Sequence, residues 1–338
     1  MVRRYPICAV LAASVRAVSA DPARPVSGPA RVGTEGIARV DAEARVIAGY
    51  RLREIIGRGG SSLVYRALND CFPSLPRVVA LKVAIAQRCT DPEFRRQFHE
   101  QSRVAAVVDH PSVLPVVDAG EVRGRPYLVM PHIDGADLSR QLTAQAMTVG
   151  RVLVLLRQVA EGLDAMHRAG VLHLDVKPAN VLVGRIQGEP VLEDGRQLGR
   201  RAPREPRAFL TDLGLCRFLA DEPGRPAVGP RGVDFVGSPR YASPEHLRGR
   251  AVLPAADVYS LTCVLFACLA GRPPYVGEVP AVVTGHFSGR VPSLSALTGL
   301  PRALDRVIRR GMHPDRGSRF ASCSELITQA RLAIIDGP

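Results

Sequence analysis

The sequence predicts an α+β protein in which a small β-rich lobe precedes a larger helical lobe. Three observations lead there. From Tyr50 onward, short strand patterns follow one another: "YRLREIIG", "SLVYRAL" and "RVVALKVAIA". A helical stretch at 91–108 is then followed by two more strand patterns, "VLPVVDAG" and "RPYLVM". After Gly135 the periodicity turns mainly helical, at 148–169, 255–271, 299–310 and 320–334. The small lobe is expected over 50–134 and the large lobe over 135–334.

The flanks and one interruption complete the organisation. Residues 1–49 are rich in Ala, Arg, Pro and Gly without sustained periodicity, the composition of a disordered leader. Within them "VRRYPICAVLAASVRAVSA" has the basic start, apolar run and small-residue end of a secretory signal, but Arg16 interrupts the run. The chain is therefore expected in the cytoplasm. Residues 185–207, charged and rich in Gly and Pro, read as a surface insertion. Val258–Ala270, "VYSLTCVLFACLA", falls short of the ~20 residues a membrane helix needs and reads as a buried core helix. No membrane span is expected.

Composition narrows the function classes. An apolar content of 46% with 23% charged residues is that of an ordinary globule. The formal net charge of +13 partly belongs to residues 1–49, where seven arginines face four acids. Elsewhere the arginines are scattered, without a basic stripe interleaved with aromatics, so no nucleic-acid partner is expected. The seven cysteines form no CxxC pair and no metal-ligand spacing, which suits reduced thiols in a cytosol.

Positive charge is written almost everywhere as arginine, yet two lysines are kept, Lys82 and Lys177. Lysine is a compact point charge where arginine is a planar fork. Coding bias is the plain alternative, so position has to decide. "IGRGGSSLVY" sets Gly57 and Gly59 between two strands, where a turn without side chains lets backbone N–H groups approach a polyphosphate. A plain tight turn would look the same. Lys82, however, lies on the next strand, its stem flanked by Val79, Ala80, Val83 and Ile85. A partly buried ammonium calls for an anion such as an ATP phosphate; the other reading is an edge lysine reaching water. "HLDVKPANVL" then supplies Asp175, Lys177 and Asn180 within six residues, and "TDLG" adds Asp212. Phosphoryl transfer needs a carboxylate to orient the attacking hydroxyl, a cation on the transferring group and oxygen ligands for Mg²⁺. Asp175 suits the first role, Lys177 the second, and Asn180 with Asp212 the third.

These residues, in this order, resemble the bacterial Hanks-type (eukaryotic-like) serine/threonine protein kinases over about residues 50–334. The resemblance implies a two-lobed protein-kinase-like fold, ATP and Mg²⁺ as cofactors, and protein substrates with Ser/Thr acceptors. It places the glycine loop at Gly57–Val64, the strand lysine at Lys82 and the catalytic loop at His173–Asn180. It implies nucleotide contacts from Ile56, Gly57, Gly59, Val64, Ala80, Lys82, Gln101, Met130, Pro131 and Ile133, and metal ligands at Asn180 and Asp212. "MPHI" would be the hinge, with Met130 as gatekeeper and the Pro131 carbonyl still able to accept from adenine. "DLG" at 212–214 and "SPE" at 243–245 stand for DFG and APE, and "GSPRY" at 237–241 for the peptide-positioning segment. Asp257 would anchor the catalytic loop, and Glu245 would pair with Arg319.

Three departures qualify the resemblance. Ser62 stands at the third glycine, and Leu174 replaces the arginine of HRD. The apolar stripe Phe94, Phe98, Ala105 and Val108 turns position 101 inward, where the family places a glutamate facing the strand lysine. Gln101 occupies it, and Glu100 lies about 100° around the helix. An active kinase and a nucleotide-binding pseudokinase scaffold are both open at this point. Residues 213–237 contain no Ser, Thr or Tyr, so phosphorylation within that segment is not expected to control the chain.

Overall fold

The computed structural model describes residues 46–73, 75–144, 147–187, 191–193, 196–198, 206–219 and 237–335, which divide into two compact units. Most of the expected leader lies outside the described residues. Its last residues do not match the expectation: Val46–Ile47 is already a strand, β1, paired with the next one.

The first unit runs up to Arg95 and takes in Val116–His132. Its strands are β1, β2 (Tyr50–Arg58), β3 (Ser62–Asn69), β4 (Val78–Ala84), β5 (Asp118–Val122) and β6 (Arg125–Pro131). They form one sheet in the order β1-β2-β3-β4-β6-β5, antiparallel throughout. Alternating residues bury one face around Tyr50, Tyr65, Leu81, Val83, Tyr127 and Val129. The pattern "VLPVVDAG" becomes strand only from Asp118. Pro115 has no N–H to give a ladder, and Val113 makes an isolated bridge to Leu210 instead.

Helix α1 (Pro92–Val107) begins in the first unit and continues into the second. The second unit holds Arg96–Pro115 and the chain from Ile133. Here β7 (Ile133–Asp137) leads into α2 (Leu138–Ala144) and α3 (Val149–Arg168). The short β8 (Val171–Leu172) and then β9 (Val181–Ile186) follow. Beyond β9 come the paired β10 (Val191–Glu193) and β11 (Arg196–Leu198), then β12 (Arg207–Leu210) and β13 (Arg217–Phe218). The expected insertion at 185–207 overran both ends, since 185–186 complete β9 and Arg207 opens β12; between them the described residues include β10 and β11, which pair with each other. Gly135 and Gly184 face each other across β7 and β9; a Cβ on Gly135 would lie 2.2 Å from the Val183 carbonyl oxygen, so no other residue fits.

The remaining helices are α4 (Pro244–Leu247), α5 (Ala255–Ala270), α6 (Val279–Ser288), α7 (Leu294–Thr298), α8 (Ala303–Gly311) and α9 (Cys323–Ile335). Every residue of α5 from Ala256 to Cys268 is buried, which explains its apolar character on all sides. It is the centre of the larger core, with Leu156, Leu163, Met166, Ile308 and Leu326 packed in the same cluster. Among the described residues, no helix is long and apolar enough to cross a membrane. The six described cysteines are free thiols.

Candidate active site

In the first unit the glycine turn closes the β2–β3 hairpin, where Gly59 N–H donates to the Ser62 carbonyl at 2.9 Å. Gly57 pairs with Val64 across that hairpin, and a Cβ on Gly57 would sit 3.4 Å from the Val64 side chain. Ile56 beside it is exposed. Val64 lies directly opposite Lys82 in the β3–β4 ladder, so the turn and the lysine share one register. On the other side of β4, Ala80 pairs with Met130 and Val79 with Pro131. Ala80 and Pro131 are buried and Met130 is half-buried, a wall of small and flexible apolar groups. Ile133, also buried, opens β7 in the second unit.

In the second unit the residues of the candidate catalytic loop converge. Lys177 Nζ donates to Asp175 Oδ2 at 2.6 Å. Asn180 Nδ2 donates to the same oxygen and to the Asp175 carbonyl, both at 2.8 Å. Among the described residues nothing donates to Asp175 Oδ1. Asn180 closes the turn before β9, and its carbonyl accepts from Thr211 N–H at 3.0 Å, just past the end of β12. Antiparallel pairing of β9 with β12 thereby brings Asn180 and Asp212 to the same end of the sheet. Asp212 is exposed and sits in the left-handed region at φ +60°. With Nδ2 of Asn180 engaged by Asp175, its Oδ1 is the atom left to ligate. An amide oxygen beside an exposed carboxylate is a hard donor set that fits Mg²⁺.

The loop is held from below by Asp257, which is fully buried. Its Oδ2 accepts from His173 N–H at 2.9 Å and its Oδ1 from Leu174 N–H at 2.9 Å. His167 Nε2, on the last turn of α3, lies 2.8 Å from Oδ2. Burial pushes this carboxyl up, but the bonds from His167 and His173 outweigh it and hold its pKa below the ordinary value. His167 was not singled out by the sequence; its position six residues before His173 at a helix end was the available signal. The sequence also gave no sign of the conformation of Leu174. It takes a positive φ of +64° and its side chain joins Leu172, Val252 and Ala256, with Leu215 and Leu219 packed against them.

Gln101 is buried on α1, as its helical stripe predicts. Its amide lies by the "DLG" turn: a Cβ on Gly214 would be 3.7 Å from Gln101 Nε2 and 3.4 Å from Asp212 Oδ1. Glu100 is held elsewhere. Arg103 Nη1 donates to both its oxygens at 2.9 Å, and Arg96 stands 3.8 Å away. Arg103 also stacks over Phe218 of β13 at 4.6 Å. Further along, Arg319 grips Glu245 with two parallel bonds of 2.8 and 2.9 Å. The same guanidinium donates to the carbonyls of His313, Ala255 and Pro314. Burial raises the Glu245 carboxyl, but Arg319 pulls its pKa below the usual range.

Known proteins are similar to this chain. A model of the protein kinase domain matches residues 50–297. Serine/threonine-protein kinase PknJ of Mycobacterium tuberculosis is 36% identical over 296 residues, covering 86% of this chain and 46% of that protein. Serine/threonine-protein kinase PknE of the same organism is 34% identical over 287 residues, covering 84% and 46%. The chain therefore spans about half the length of the curated relatives it matches. Among solved structures, the PknI kinase domain of M. tuberculosis is similar at a TM-score of 0.62 and 28% identity, covering 85% of this chain and 97% of that one. With the glycine hairpin, Lys82 and the Asp175 loop already in place, the match over most of the chain makes the assignment: this chain belongs to the protein kinase family, in its bacterial Hanks-type serine/threonine branch.

Proposed function

We propose that the chain transfers the γ-phosphate of ATP to Ser/Thr hydroxyls of protein substrates in the cytoplasm, through a kinase domain spanning 50–334 with no part for nucleic acid. The observation that carries this reading is the asymmetry at Asp175. One carboxylate oxygen is engaged by Lys177 and Asn180, and among the described residues the other has no donor, as a group orienting an incoming hydroxyl requires. Lys177 steadies the γ-phosphate, and Lys82 holds the α- and β-phosphates beneath the glycine turn of Gly57 and Gly59. The carbonyl of Pro131 and the backbone of Ile133 face adenine, with Ile56, Val64, Ala80 and Met130 as its apolar contacts. Asn180 and Asp212 would hold Mg²⁺, which when bound neutralises charge on the phosphates.

Transfer of radiolabel from ATP to a generic acceptor, in wild type beside Asp175→Asn, tests the reading. Wild type should be faster by about 10²- to 10⁴-fold. Equal background rates would favour the second reading, a nucleotide-binding pseudokinase scaffold. One observation supports that alternative: the buried position facing the fold's interior on α1 is an amide, and neighbouring Glu100 is tied to Arg103. Gln101→Glu is therefore expected to raise turnover at saturating ATP severalfold. An unchanged or lower rate, with the fold intact, removes Gln101 as the limiting feature.

A further inference from the structure

Behind the catalytic loop, three side chains of metal-ligating chemistry converge. Asp164 and His167 stand about one turn apart on α3, and Cys323 opens α9. One ligand atom from each lies within 4.8 Å of the other two, the one such group among the described residues. Part of this is explained by packing. Asp164 caps α9, its Oδ1 accepting from Cys323 N–H at 2.9 Å and its Oδ2 from Ser324 N–H at 3.0 Å. Capping does not account for a thiol and an imidazole within ligand reach of the same carboxylate.

The surroundings of His167 supply the second, independent observation. Its Nε2 is 2.8 Å from Asp257 Oδ2, and Asp257 has two further donors in the backbone of His173 and Leu174. Facing an acceptor, Nε2 donates, and Nδ1 is the ring nitrogen turned away from that bond. An imidazole that gives one N–H to a carboxylate and offers its other nitrogen is oriented as metal-binding histidines are. Asp164 is braced in the same manner by two backbone N–H groups, and each of its oxygens keeps a lone pair.

We propose that Asp164, His167 Nδ1 and Cys323 Sγ form a Zn²⁺ site that ties α3 to α9 and, through Asp257, steadies the catalytic loop. Thiolate, imidazole and carboxylate together select Zn²⁺ over the hard ions, and three protein ligands leave a fourth position for water. Binding replaces the S–H bond of Cys323 by an S–Zn bond and releases one proton to solvent. The ion fixes the His167 tautomer, whose N–H holds Asp257, which holds the N–H groups of His173 and Leu174. The site is separate from the Mg²⁺ ligands and does not depend on the kinase activity.

The test uses the 338-residue chain, stripped with a chelator and titrated with Co²⁺, then with Zn²⁺. Wild type should take up one Co²⁺ with a thiolate-to-cobalt charge-transfer band, and Zn²⁺ should displace it. Cys323→Ser, nearly isosteric, should lose the band and bind about 10- to 100-fold more weakly. Cys263→Ala, at a buried cysteine outside the trio, should keep it. Zn²⁺ should raise the Tm of wild type more than that of Cys323→Ser at the same concentration. The proposal is overturned if wild type shows no charge-transfer band, or if the band survives in Cys323→Ser. Should that variant fail to fold by circular dichroism, Asp164→Asn takes its place, and undiminished affinity there overturns the site equally.

Discussion

Asp257 and Glu245 are both carboxylates buried in the second unit, and both are held below the ordinary carboxylate pKa. They do different work with the same charge. Asp257 takes two of its bonds from backbone N–H groups of the loop that carries Asp175. Glu245 takes two from one guanidinium, which reaches on to carbonyls at 255, 313 and 314. Equal burial therefore does not mean equal function. One anion sets the position of the loop that carries Asp175, and the other ties the segments around the start of α5.

Replacing Asp257 by Asn should have the largest effect. A single acceptor oxygen would face three donors, and an NH₂ group would be turned onto an N–H. Loss of stability of about 3–5 kcal/mol is expected in urea unfolding. The folded fraction should lose roughly 10²-fold in kcat, because the loop shifts by more than transfer tolerates. Glu245→Gln should cost about 2–3 kcal/mol, since Arg319 keeps its carbonyl partners, and leave kcat per folded molecule within about threefold. If both variants lose kcat equally, the contrast fails.

The smallest effect is a pH dependence. His246, next to Glu245, is buried, and burial with nearby Arg217 pushes its pKa down to about 4. Burial brings His286 down to about 4 as well. Both are neutral in the native state, whereas the unfolded chain binds a proton near 6.5. Their contribution is complete above that value and is lost as pH falls from 6.5 toward 4. Asp257 and Glu245 act at the acid end: with depressed pKa values, their contribution is lost as pH falls below the unfolded 3.8 and 4.5, outside the interval from 6.5 to 5. His246→Gln should remove about 1–2 kcal/mol of the decline between pH 6.5 and 5, read from urea midpoints. A decline of undiminished size would assign the acid sensitivity to other groups.

Much of the site is legible because it is local in sequence. Asp175, Lys177 and Asn180 lie within six residues, and a turn closes them onto each other without help from distant chain. Lys82 opposite Val64 follows from hairpin register, which alternation fixes. Position 101 follows from a helical stripe. Contacts set by tertiary packing are a different matter. The apolar partners of Leu174 lie up to about 80 residues away, and nothing in "HLD" signals a left-handed leucine. His167 shows the same limit, since its carboxylate partner is 90 residues distant. Helix α6 carries β-branched residues and a glycine, and α7 spans only five residues, so neither shows a clear helical period in the sequence.

The leucine cluster has a consequence for how the loop and the chain after "DLG" are coupled. Leu215 and Leu219 pack against the apolar cluster that holds Leu174, beside the ladder that pairs β13 with β8. A guanidinium–phosphate clamp at this place would loosen with added salt and could be dissolved by a phosphatase. Hydrocarbon contact responds to neither. It weakens on cooling instead, because the entropy of released water that drives it fades. The apolar part of the coupling in this chain thus answers to temperature, where an ionic clamp would answer to salt and signalling state.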